Sequence, residues 1–112
     1  MDLSPSTRKE LSARELAERL QRGDDVVLVD VREGSELSIA RFPAALHVPL
    51  ATLPLRLADV PRDRTVVVAC HHGVRSALAL KFLSGLGYSQ LFNLVGGIDA
   101  WARDVDPRVA RY

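Results

Sequence analysis

A run of β-branched residues, Thr65-Val66-Val67-Val68-Ala69, leads without a break into Cys70-His71-His72-Gly73-Val74-Arg75-Ser76, and this stretch most narrows the folds open to the chain. Such a run, apolar at nearly every position, fits a strand covered on both faces, as strands of a parallel sheet are. Residues 76–86 read as a helix that is apolar nearly all round, with Lys81, Ser84 and Gly85 as its one polar stripe, and this predicts that the helix is largely buried. A chain passing from a strand end into a helix start leaves several backbone N–H groups unpaired and pointing one way. That arrangement cradles an anion. Cys70, the single cysteine, falls at the cradle, where a thiolate would be stabilised and its pKa lowered below that of a free cysteine. We therefore read Cys70 as a nucleophile.

The rest of the chain alternates strand and helix patterns. Ser12 and Glu15 form a capping box, and Ala13, Leu16, Ala17 and Leu20 recur at helical spacing, which predicts a helix over 12–22 stopped at Gly23. Residues 26–31 form a second continuous apolar strand interrupted only by Asp30. Residues 34–45 are irregular, with one helical turn near 35–39. A short strand over 46–48 ends at Pro49. Leu53, Leu57 and Val60 suggest a short helix with Pro54 in its first turn. The last strand covers 91–95, and Gly96-Gly97 turns into a helix over 98–103 whose Trp101 reads as core. This alternation predicts an α/β fold, a central parallel sheet with helices on both faces.

At 112 residues the chain is expected to form one domain over 1–112, with 1–8 as a loose arm and 108–112 as a tail. A net charge of +1 with no basic block argues against nucleic acid as a partner. No apolar run approaches membrane-spanning length, and Met1 to Glu10 lacks the apolar centre of a signal peptide. One cysteine makes no internal disulfide, which fits a reducing compartment, so a cytoplasmic protein is expected.

Asp30 stands near the end of an apolar strand, where it fits either a carboxylate that accepts loop N–H bonds or a site residue, since ligands of open α/β sheets gather at strand carboxyl ends. We assign Asp30 and Arg32 a supporting role beside the site. By residue type alone Arg32 and Glu33 also fit plain surface charge. His47 alternates with apolar neighbours and reads as exposed structure.

Five segments, in order, resemble the signatures of the rhodanese-like sulfurtransferase domain, over about residues 10–107. They are Leu28-Val29-Asp30-Val31-Arg32-Glu33; Pro43 to Ala45 with Leu46 and Val48-Pro49-Leu50; Cys70 to Ser76; Gly85-Leu86-Gly87-Tyr88; and Gly96-Gly97-Ile98-Asp99-Ala100-Trp101. The chain departs from the family's Gly-His-Ile-Pro-Gly-Ala, reading Ala40-Arg41-Phe42-Pro43-Ala44-Ala45 instead. Alanines in place of the two glycines predict a loop that avoids positive φ. The resemblance implies a sheet of about five strands, sulfur transfer without a cofactor, and an active-site loop of six residues where related phosphatases carry one more. Cys70 to Arg75 is six residues, and the phosphatase-like Cys-x5-Arg spacing is absent.

Within that loop Gly73 lets the backbone curl. Arg75 offers a planar cation suited to a sulfonate or other oxyanion, or else a salt bridge that holds the loop. Ser76 caps the helix or donates a hydrogen bond to the loop. His71 and His72 line the rim or are ordinary loop surface. Three adjacent residues in one turn do not converge on a single ion, so no metal is expected. We take His71, His72, Gly73, Val74, Arg75 and Ser76 as the substrate-binding loop around Cys70. The expected reaction moves a sulfane sulfur from thiosulfate or a similar small donor to a thiophilic acceptor, cyanide in an assay or a thiol, through a Cys70 persulfide. The alternatives are a persulfide carrier loaded by a sulfur-relay partner protein, a non-catalytic interaction module and, ranked last, a phosphatase.

Overall fold

A computed structural model of the protein describes residues 9–112. The arm expected over 1–8 lies outside them. The strands are β1 (Glu10–Leu11), β2 (Val26–Asp30), β3 (Leu46–His47), β4 (Thr65–Ala69) and β5 (Leu91–Leu94). The α-helices are α1 (Ala13–Gln21), α2 (Gly34–Leu37), α3 (Val74–Ser84) and α4 (Gly97–Asp104). The five strands form one parallel sheet in the order β1-β5-β4-β2-β3.

β2 and β4 are paired at its centre from Val26↔Thr65 to Asp30↔Ala69. From β2 the chain moves outward to β3, and from β4 it moves the opposite way to β5. The carboxyl ends of β2 and β4 therefore flank the point where the winding reverses, which is where α/β sheets open a crevice. Asp30 ends one of these strands and Cys70 follows the other.

Strand alternation divides the core. Val67 and Ala69 face a cluster with Ala13 and Leu16 of α1 and Ile98, Ala100 and Trp101 of α4. Val66, Val68 and Cys70 face the opposite cluster, with Ala79 and Leu83 of α3 and with Leu53 and Val60. Trp101 is core, as expected, and meets the Phe42 ring edge-on at 5.9 Å. The helix predicted at 12–22 is α1, and its capping box is complete: Glu15 N–H donates to Ser12 Oγ at 3.1 Å, and Ser12 N–H donates to Glu15 Oε1 at 3.0 Å.

Three expectations change. The helix after Cys70 begins at Val74, and it is not largely buried. Ser76, Ala79 and Leu83 are covered by the sheet, while Val74 (73 % exposed), Leu78 (58 %) and Phe82 (38 %) lie outward, because a helix on the outer layer packs on one side only. The short helix around Leu53 and Leu57 is two 3-10 turns, Leu50–Leu55 and Leu57–Asp59. Pro54 lacks the N–H that an α-turn needs, so the tighter i→i+3 pattern takes over. The short strand β1 was not foreseen. Ala40 and Ala44 keep negative φ, as every described non-glycine residue does.

Candidate active site

Gly73 has φ +110° and forms the N-cap of α3, a conformation that a side chain would strain. This curl brings its N–H onto Cys70 Sγ at 3.0 Å. Ser76 Oγ, one turn into the helix, lies 3.3 Å from the same sulfur. The Ser76 hydroxyl donates to Asn93 Oδ1, and Asn93 Nδ2 donates to the Gly73 carbonyl at 3.1 Å. Asn93 of β5 thus ties the turn and the helix together. Cys70 is 1 % exposed on a face lined mainly by aliphatic side chains, but its sulfur has two polar neighbours rather than none.

The start of α4 supports the loop from behind. Ile98 N–H donates to the Cys70 carbonyl at 2.8 Å, and Asp99 N–H donates to that of His71 at 3.1 Å. Both carbonyl oxygens are thereby kept from turning toward the sulfur. The approach is close at Gly97, where a Cβ would stand 2.5 Å from the His71 carbonyl oxygen and closer still to that of Cys70. The Gly96-Gly97 pair is more than a turn into a helix; it lets α4 press its first N–H groups against the loop that follows β4.

Arg75 is held by Glu36. Its Nη1 and Nη2 donate to Oε1 and Oε2 at 2.5 and 2.8 Å, a planar two-bond pairing across 39 residues of sequence. Glu36 Oε1 also accepts the Glu33 N–H at 3.1 Å, and Oε2 accepts the Tyr112 hydroxyl at 2.6 Å. These donors, Arg75 foremost and against the opposing effect of partial burial, hold the Glu36 carboxyl down at about 2. The Arg75 guanidinium is correspondingly pushed further toward its charged form, by Glu36 first and against the opposing effect of partial burial.

Asp30 and Arg32 form a buried pair beneath this layer. Arg32 Nε and Nη2 donate to the Asp30 carboxylate at 2.7–3.1 Å, and the Arg32 side chain is 0 % exposed. Arg32 Nη2 also donates to the Ala40 carbonyl at 2.9 Å and Nη1 to the Tyr112 hydroxyl at 2.8 Å. Burial opposes the charge on Arg32, but the bonds to Asp30 and Tyr112 outweigh it. Arg32 is therefore not surface charge. His47 is half-buried, its Nε2 2.7 Å from the Arg32 carbonyl, so it is not exposed structure either.

The structure brings Cys70, Gly73, Ser76 and Arg75 together. His71 lies flat against the Tyr112 ring, centroids 3.8 Å apart and planes 7° off parallel, and on its other contact stacks with the exposed His72. Val74 points outward at the start of α3. Three residues escaped the sequence reading. Asn93 carried a signal, a lone amide in the apolar run Leu91-Phe92-Asn93-Leu94. Glu36 carried a weaker one, standing three residues after Glu33 at a helix start. Tyr112 carried none.

A lone thiol at the tip of a central parallel strand, held by a main-chain N–H and a hydroxyl, with an arginine in the same turn, defines an α/β domain built around a cysteine loop. A sequence model of the rhodanese-like domain family matches residues 12–104, and the chain belongs to that family. Among its relatives is a protein named "Sulfurtransferase" from Allochromatium vinosum, 42 % identical over 101 residues, covering 90 % of this chain and 94 % of that one. A "Probable adenylyltransferase/sulfurtransferase MoeZ" from Mycobacterium tuberculosis is 38 % identical over 91 % of this chain, which spans 26 % of that longer protein. A crystal structure of a rhodanese-related protein from Thermoplasma volcanium superimposes with a TM-score of 0.80 at 31 % identity, covering 93 % of this chain and 99 % of the other. Sulfur transfer is the chemistry these relatives support.

Proposed function

We propose that this protein is a sulfurtransferase, one rhodanese-like domain over 1–112, that carries sulfane sulfur on Cys70. The Cys70 thiolate attacks the outer sulfur of thiosulfate or a similar donor. The new S–S bond forms as the donor's S–S bond breaks, and sulfite leaves with the electron pair. Cys70 then holds a persulfide anion. Cyanide or a thiol attacks its outer sulfur, and the Cys70 thiolate is the leaving group. No proton need be lost from the donor and no cofactor enters, so the two half-reactions follow a ping-pong order.

The observation that carries this reading is the Gly73 N–H aimed at Cys70 Sγ at 3.0 Å, with Ser76 Oγ at 3.3 Å. The Gly73 N–H is in place before charge develops, so it stabilises a sulfur anion without first reorganising, and the Ser76 hydroxyl adds a second donor once its hydrogen turns from Asn93 to the sulfur. Of the amides expected around the sulfur over 71–76, Gly73 supplies the donated bond, and Ser76 adds its side chain. Arg75 gives two N–H groups to Glu36 and retains Nε–H for the oxyanion end of a donor. Asp30 and Arg32 act as support for the layer that holds Glu36. His71, His72 and Val74 form the rim. We place the protein in the cytoplasm, where a reducing environment keeps a single cysteine as thiol.

A second reading has the same loop receive sulfur from a partner protein and pass it on. The MoeZ relative favours it, since that name joins an adenylyltransferase to a sulfurtransferase in one longer chain. Intact-mass measurement after incubation with thiosulfate separates the two. One added sulfur, removed by cyanide and absent in Cys70→Ser, supports direct loading. A mass that stays unchanged with thiosulfate but rises with a protein desulfurase supports the carrier. A mass that rises equally in Cys70→Ser rules out both.

A further inference from the structure

The segment after α4 folds back over the active-site loop and delivers Tyr112 to a position the family signatures do not include. Its hydroxyl sits between two charged groups, accepting from Arg32 Nη1 at 2.8 Å and donating to Glu36 Oε2 at 2.6 Å. Its ring covers His71, the residue after the nucleophile. The segment is anchored on the way. Arg111 donates to Asp99 through Nε at 2.9 Å and Nη2 at 3.1 Å, and Val105 and Val109 pack against the core cluster around Trp101. Tyr112 therefore closes a continuous chain of bonds, Asp30–Arg32–Tyr112–Glu36–Arg75, that runs from the end of β2 to the far side of the loop.

We infer that Tyr112 is a positioning residue for sulfur loading: by adding a second donor to Glu36 Oε2 it sets the plane in which Arg75 presents its Nε–H to an anionic donor. This rests on the sulfurtransferase reading above. The physical reason lies in the geometry of the Glu36 carboxylate. Two guanidinium bonds alone allow a carboxylate and an arginine to swing together as a hinged unit. The Tyr112 hydroxyl and the Glu33 N–H add one further donor to each oxygen, and the unit is then fixed from both sides. An arginine so fixed presents Nε–H in one direction, and a tetrahedral sulfonate end profits from that, because the positioning is done before the donor arrives. A donor lacking an oxyanion gains nothing from it.

Tyr112→Phe removes the hydroxyl and keeps the ring on His71, so it tests the inference without opening the stack. Single-turnover loading of Cys70 is measured with two donors, thiosulfate and a small alkyl hydropersulfide, which presents no sulfonate to the guanidinium. We expect loading from thiosulfate to fall roughly tenfold, the scale of one hydrogen bond to a charged group, with loading from the hydropersulfide unchanged. Carbon-13 NMR of the Glu36 carboxyl supplies a readout independent of turnover: its titration moves up from about 2 when the tyrosine bond is lost. Loading from both donors that is unchanged, faster or slowed alike in Tyr112→Phe overturns the inference while leaving sulfur transfer intact. A wild-type protein that takes sulfur from neither donor ends the reading of direct loading from small donors, and this inference with it.

Discussion

Ser76 has one hydroxyl hydrogen for two neighbours, Asn93 Oδ1 and the Cys70 sulfur. The Ser76 hydroxyl donates to Asn93 Oδ1, and its oxygen stands 3.3 Å from the Cys70 sulfur. A hydroxyl has a single hydrogen to give. With a neutral thiol, Cys70 donates to Ser76 and Ser76 donates to Asn93, and all three are satisfied. With a thiolate or persulfide, Ser76 must turn its hydrogen to the sulfur, and Asn93 Oδ1 loses its partner. Ser76→Ala is therefore expected to slow Cys70 loading roughly tenfold, because the sulfur anion keeps one donor of two. Asn93→Asp is expected to slow it further, since a carboxylate competes harder for the same hydrogen. The intact-mass time course with thiosulfate measures both. Equal rates in wild type and Ser76→Ala would show that Gly73 alone suffices.

Gly97 is the position where the loop tolerates least. A methyl there meets the main-chain oxygens of His71 and Cys70, neither of which can move without breaking its bond to α4. Backbone contacts do not yield as a long side chain does. Gly97→Ala, at φ +57°, is expected to cost at least about 2 kcal/mol and to lower Tm by on the order of 10 °C. Gly23→Ala is the control. Its φ is +78°, yet a Cβ there has open space, so only the backbone strain remains and the loss should be about 1 kcal/mol. Thermal denaturation followed by circular dichroism compares the two.

Glu36 links stability to pH. Its carboxyl is held at about 2 in the folded protein against 4.5 when free. A depressed carboxylate binds fewer protons folded than unfolded, so stability rises with pH across the interval. The contribution is fully present above about pH 4.5 and is lost as pH falls through the folded value near 2. The shift corresponds to no more than about 3.5 kcal/mol. Urea denaturation at steps from pH 6 to pH 2.5 should show this slope, and Glu36→Gln should flatten it. A Glu36→Gln protein that keeps the full slope would place the acid sensitivity elsewhere.

The sequence disclosed local features of the site well and remote ones poorly. Cys70, Gly73, Arg75 and Ser76 lie within one turn and the start of one helix, so chain connectivity alone puts them together. Asp30 was visible as a charge in an apolar strand. Its partner Arg32 was ambiguous, because residue type does not tell a buried arginine from an exposed one. Glu36 meets Arg75 and Tyr112 meets His71 only through tertiary folding, across 39 and 41 residues, and no periodicity encodes that. The apolar pattern of α3 misled for a related reason. Hydrophobic composition permits burial, but an eleven-residue helix on an outer layer has only one side to bury.

Arg32 supplies the remaining test, because burial makes its charge consequential. Its side chain is fully covered and makes bonds to Asp30, the Ala40 carbonyl and Tyr112. Removing it leaves the Asp30 carboxylate buried without its cation, and the cost of a stranded charge is about 3–5 kcal/mol. Arg32→Ala is therefore expected to lower stability by that amount and to release Tyr112 from one of its two bonds. Arg32→Lys keeps the charge but not the fork, so it should retain the pairing with Asp30 while losing the reach to Ala40 and Tyr112 together. The double variant Asp30→Asn with Arg32→Met removes both charges and should recover part of the stability lost in Arg32→Ala, because no buried ion is left unpaired. Chemical denaturation of the three proteins decides the matter. If the double variant is less stable than Arg32→Ala, the pair's hydrogen bonds to the surrounding loop, rather than charge balance, set its worth.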